Sequence, residues 1–199
     1  MGCFLVAFGL AQTGALERIE NLTLDYRTRL RAWLKPAVAS DSLALIGINE
    51  LSIRAIGRWP WPRFWHGELL QLAGRRNPSV MAWDLLFTEP SEDDPVIVKG
   101  VLKGGTGTVV LGAMRAEIDE GIRPEDPAIK ETRLSPLPRI EGDRKKLYGG
   151  AAILLPAGEL AKVADIGFVD TPPEDDGVRR AVPLIVRFGL TVDALAPRA

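Results

Sequence analysis

One histidine and one cysteine limit the chemistry open to this chain. A Ser-His-Asp or Cys-His catalyst would have to use His66, which falls in the first turn of an expected helix with no nucleophile motif beside it. A metal site of imidazole and thiolate ligands needs more donors than Cys3 and His66 supply, whereas a site of oxygen ligands alone stays open. Two acidic loops offer such oxygens, Glu89/Glu92/Asp93/Asp94 and Asp170/Glu174/Asp175/Asp176. Neither has calcium-loop spacing, and they read more simply as a helix cap and a hairpin turn. Gly104-Gly105-Thr106-Gly107 has the composition of a phosphate loop. It follows an expected helix and precedes an expected strand, the reverse of the order that brings phosphate to a helix N-terminus. We read it as a helix end. The sequence assigns no catalytic residue, no metal and no cofactor.

Asp84 is the residue that asks for an explanation. It is a single acid inside the apolar run Val80, Met81, Ala82, Trp83, Leu85, Leu86, Phe87. A buried carboxylate without a partner is costly, so it needs an arginine or backbone donors, or it contacts a ligand. Arg63 is the expected partner, because its planar donors match a carboxylate. Arg63 ends the block Gly57-Arg58-Trp59-Pro60-Trp61-Pro62-Arg63, in which two prolines fix the backbone and hold Trp59 and Trp61 on a stiff frame. Asn49 and Glu50 follow another expected strand. Asp84, Arg63, Asn49, Glu50, Trp59 and Trp61 are therefore the candidate ligand-binding set, with the tryptophans chiefly structural.

The elements that must position them follow from periodicity. Leu16, Ile19, Leu22, Tyr26, Leu30 and Trp33 recur at spacings of three and four and predict a long N-terminal helix over 16–34, closed by Pro36. Residues 43–48 form a continuous apolar run suited to a strand covered on both faces. Residues 50–56 predict a short helix, 64–75 a helix opened by Pro62, and 79–87 a second strand. Asp94-Pro95 starts a helix reaching Lys103, and 108–113 is a third strand. Residues 165–169 and 178–188 are read as a C-terminal hairpin turning at Asp176-Gly177. The order strand, helix, strand, helix, strand predicts an α/β fold: a mixed, mainly parallel sheet flanked by helices. Residues 115–150 are polar and proline-rich and read as a surface insertion.

The bulk numbers fit a globular domain. The chain has 199 residues, 46% of them hydrophobic and 26% charged, with a net charge of −1. Such a balance gives no long-range attraction to nucleic acid or to an anionic membrane. The single cysteine excludes an internal disulfide. The segment 1–15 is almost wholly apolar, yet it is too short to span a hydrocarbon core of ~30 Å and lacks the basic start of a signal peptide. It is expected to be the outer end of a membrane helix.

Together these pieces resemble the type-two CHASE domain, the extracellular sensory domain associated with bacterial cyclases and histidine kinases. The resemblance is carried by Leu24-Asp25-Tyr26-Arg27 with Arg29, Ile46-Gly47-Ile48-Asn49-Glu50-Leu51-Ser52, and the Trp-Pro block from Gly57 to Arg63. It continues through Val80 to Phe87 with Asp93 and Asp94, then Ile166-Gly167-Phe168-Val169 and Asp176-Gly177-Val178-Arg179-Arg180. Asn49 stands where the family often has aspartate. The resemblance covers 16–199 and implies a domain incomplete at its C-terminal end. It implies a sensor on the extracytoplasmic side of the cell membrane, part of a cyclase, histidine kinase or diguanylate cyclase receptor, detecting an unknown small-molecule ligand. It also implies membrane attachment through the N-terminal segment and through helices that follow the domain. The alternative is a module that binds no ligand and serves dimerisation; an α/β enzyme is the third reading. A homodimer is an expected partner arrangement, and nucleic acid is not an expected partner.

Overall fold

A computed structural model describes residues 15–38, 40–103, 107–116, 121–122, 126–134, 147–174, 176–184, 186–188 and 193–194. Residues 1–14 of the expected membrane segment, and Gly104, Gly105 and Thr106, lie outside this set. Among the described residues no helix is long and apolar enough to cross a membrane. The chain forms two compact units, Met1–Ile53 and Arg54–Ala199.

In the first unit α1 (Ala15–Leu34) is the long helix that the apolar spacing predicts. It ends just before Pro36, where the backbone cannot continue helically. Residues 43–48 are not a strand. An apolar run gives a segment the capacity to pair, but a ladder needs a second backbone, and the described residues of this unit contain none in strand form. The helix α2 (Glu50–Ile56) follows Asn49.

The second unit is built on the sheet. The helix α3 (Arg63–Gly74), the strand β1 (Val80–Trp83), the helix α4 (Asp94–Lys103) and the strand β2 (Thr108–Ala116) appear in the expected order. Further on come β3 (Gly149–Gly150), β4 (Ala152–Leu154), α5 (Leu160–Val163) and β5 (Asp165–Phe168). The short pair β6 (Arg187–Phe188) and β7 (Asp193–Ala194) follows. The strands β1 and β5 both run parallel to β2, while β4 pairs with it antiparallel, so the sheet is mixed. The predicted hairpin of 165–169 with 178–188 does not form. The first of these segments pairs with β2, and β6 pairs with β3 and β7. The Asp176-Gly177 turn does form: Gly177 has φ +79, and the Asp176 carboxylate accepts the Val178 amide.

One face of the sheet carries the core. Leu70 from α3 and Ile97 from α4 pack with Val109, Leu111, Phe87 and Leu160. A Cβ on Gly67 would lie 2.7 Å from a methyl of Val96, so this glycine lets α3 and α4 cross closely. A second cluster joins Ala113, Ile153, Leu155, Ala161, Ile166 and Phe188. Ile122, Ile129 and Leu134, from the stretch read as a surface insertion, pack against that cluster. Exposure alternates from Val80 to Phe87, placing Val80, Ala82, Asp84 and Leu86 on the open face.

Candidate functional site

Most of the candidate ligand residues chosen from sequence have local structural partners. Asn49 caps α2: its side-chain oxygen accepts the Leu51 and Ser52 amides, and Ser52 answers by accepting the Asn49 amide. Glu50 begins the helix, where a negative charge suits the exposed amides. Arg63 is not paired with Asp84. It donates to the Asp94 carboxylate and to the Glu89 carbonyl, and its guanidinium lies over the Phe87 ring at 5.3 Å. Asp84 is exposed and has no ion pair or hydrogen bond among the described residues. Its solvation removes the need for a partner that the apolar sequence context suggests. Asp94 and Asp93 are likewise structural, Asp94 accepting the Ser91 amide and Asp93 the Phe64 amide.

Trp59 and Trp61 close an aromatic cluster whose centre is His66. The His66 ring lies 5.8 Å from Trp59, 5.7 Å from Trp83 and 5.4 Å from Phe87, all edge-to-face. The Trp61 indole also donates to the Gly57 carbonyl. His66 is only 4% exposed, not the partly exposed helix-start residue that its position in α3 suggests. Burial, reinforced by the charge of Arg63, pushes its pKa below the usual 6.5 and keeps the ring neutral. The Trp-Pro loop thus packs on α3 through His66.

A cleft among the described residues of this unit lies elsewhere. Leu86, Met114, Val169, Asp170, Thr171 and Arg179 line an open surface cleft of about 460 Å³. Its position follows from strand register. The ladder of β1 with β2 ends at Trp83–Leu111, and that of β5 with β2 ends at Phe168–Ala113. Past those points β2 pairs with β4 instead, from Met114 to Ala116. The cleft therefore sits just beyond the C-terminal ends of the parallel ladders, where open α/β sheets receive ligands. Gly112 forms a narrow point below it, since an added Cβ would stand 2.9 Å from the Leu85 carbonyl oxygen and 3.2 Å from a Val169 methyl.

A polar group supports the rim. Tyr148 donates its hydroxyl to Asp170 at 2.7 Å, and Arg115 approaches the same carboxylate oxygen at 3.8 Å. The Arg115 guanidinium also covers the Tyr148 ring at 5.2 Å. Burial and then the hydrogen bond to Asp170 raise the Tyr148 pKa above its usual 10.0, so the phenol stays a donor. Arg179 donates Nε–H to the Thr171 carbonyl at 2.7 Å, which fixes its plane beside the cleft. Among the described residues no group of three His, Cys, Asp or Glu side chains is placed to hold a metal ion.

The sequence reading missed Arg115, Tyr148, Thr171 and Arg179. Asp170 carried a signal, as the first acid past an apolar strand, but was assigned to a turn. Tyr148 carried none, because it sits in a polar stretch and meets Asp170 across 22 residues. Asp84 does not line the cleft, although Leu86, two residues on, does.

The sequence model of the CHASE2 domain matches residues 2–199. No curated protein and no solved structure gives a significant match. The chain belongs to the CHASE2 domain family.

Proposed function

We propose that this CHASE2 domain is the ligand-detecting part of a membrane-bound bacterial receptor, and that its ligand occupies the cleft at Met114, Val169 and Asp170. CHASE2 domains are extracytoplasmic sensory modules of signalling receptors, sensory rather than catalytic. The observation that carries the reading is the place of the cleft, at the C-terminal ends of parallel strands and lined by three apolar side chains with an acid, a base and a threonine. In the receptor the domain stands on the extracytoplasmic side, tethered through its apolar N-terminal segment. It controls a cyclase, histidine kinase or diguanylate cyclase inside the cell. Trp59, Trp61 and Arg63 hold the scaffold.

A thermal-shift screen of small metabolites tests this, because a ligand of the native state raises the melting temperature. Hits are expected with the wild-type chain and lost in Thr171→Trp, which fills the cleft. Hits that persist in Thr171→Trp place the ligand elsewhere. A screen without hits favours the dimerisation module.

A further inference from the structure

We infer that the cleft selects a small organic monocarboxylate with an apolar body; this rests on the ligand-detecting reading above. The charges at the cleft are uneven. Arg179 and Asp170 line the cleft, and Arg115 lies 3.8 Å from the Asp170 carboxylate, so two positive charges stand against one negative. Asp170 is already engaged, by the Tyr148 hydroxyl and by Arg115. Arg179 is engaged only through Nε–H, held on the Thr171 carbonyl. Among the described residues its two terminal nitrogens have no partner. A guanidinium fixed at one edge and free at the other presents parallel donors that fit a carboxylate.

The same balance sets the charge of the ligand. One negative charge neutralises the excess, whereas a dianion such as phosphate or succinate would place a second charge near Asp170, whose side chain is 21% exposed. The apolar part of the lining is Leu86, Met114 and Val169, whose side chains gain by covering a hydrocarbon chain. A cation would meet two arginines. The ligand class that satisfies base, acid and apolar lining together is one carboxylate on a short apolar body.

Isothermal titration of the full chain with sodium hexanoate, hexanamide, hexylamine, succinate and inorganic phosphate tests this. Hexanoate is expected to bind, with hexanamide weaker by about tenfold or more. Arg179→Gln should weaken hexanoate by a similar factor, and Arg179→Lys, which keeps the charge but loses the fork, should weaken it less. Arg179 is exposed, so these variants keep the fold, which circular dichroism checks. The inference is overturned if hexanamide matches hexanoate, if succinate or phosphate binds better, or if Arg179→Gln leaves hexanoate unchanged. It is also overturned if hexanoate does not bind while another compound of the thermal-shift screen does; that result leaves the cleft as the sensing site. Failure of the wider screen in the wild-type chain overturns the sensing reading itself.

Discussion

His66 should make the aromatic cluster sensitive to acid, and His66→Phe should remove that sensitivity. The ring is 4% exposed and lies among Trp59, Trp83 and Phe87 at 5.4–5.8 Å. No hydrogen bond to its imidazole occurs among the described residues. The cluster thus uses histidine as a neutral aromatic disc, and phenylalanine offers the same shape. The folded-state pKa lies below the unfolded value of 6.5, so the folded chain binds fewer protons in that window. The contribution is full above the unfolded value and declines as pH falls towards the folded one. His66→Ala removes three edge-to-face contacts of about 0.5–1.5 kcal/mol each and leaves a cavity; we expect a loss of about 3 kcal/mol near neutral pH. His66→Phe should cost less than about 1.5 kcal/mol there. Urea unfolding followed by tryptophan fluorescence, at neutral and mildly acidic pH, measures both. The reasoning fails if His66→Phe keeps the acid sensitivity of the wild type, or if His66→Ala is as stable as the wild type.

Three further outcomes follow from the same geometry. Arg63→Ala leaves Asp94 without its counter-charge at a site where both side chains are under a fifth exposed (13% and 16%), and should cost about 3 kcal/mol in urea unfolding. Gly112→Val pushes a side chain towards the Leu85 carbonyl and Val169, and should cost about 1–3 kcal/mol while abolishing hits of the thermal-shift screen. In a Tyr26→Phe background Tyr148 is the single tyrosine, and its ultraviolet titration should fall above the usual 10.0 and return towards it in Asp170→Asn. An unshifted titration in the wild-type site would show that the phenol does not meet the carboxylate.

What the sequence revealed depended on the distance over which each feature is decided. The stripe from Leu16 to Trp33, the run from Val80 and the pair Asp94-Pro95 are local patterns, and α1, β1 and α4 stand where those patterns put them. Asn49 as a cap and the turn at Gly177 are equally local. Pairing is not. The parallel ladder of Val110–Ala113 with Asp165–Phe168 joins segments over fifty residues apart, and an apolar strand does not carry the name of its partner. For the same reason Arg63 was matched to the nearest unexplained acid, when packing of α3 against α4 brings it to Asp94. Asp84 looked buried because its neighbours are apolar, but β1 is covered on one face only. Tyr148 and Arg179, which meet Asp170 and Thr171, arrive from loops, where no periodicity marks a residue.

The most direct measurement uses the three methionines of the chain. Met114 lines the cleft, whereas Met81 packs against the core on the helix-covered side of β1. Methyl NMR spectra of a chain labelled at methionine, recorded with each hit of the thermal-shift screen, report both positions at once. The account predicts that the Met114 signal shifts in a saturable way while Met81 stays in place, and that Thr171→Trp abolishes the shift. Ligands that move Met81 and leave Met114 untouched would contradict it.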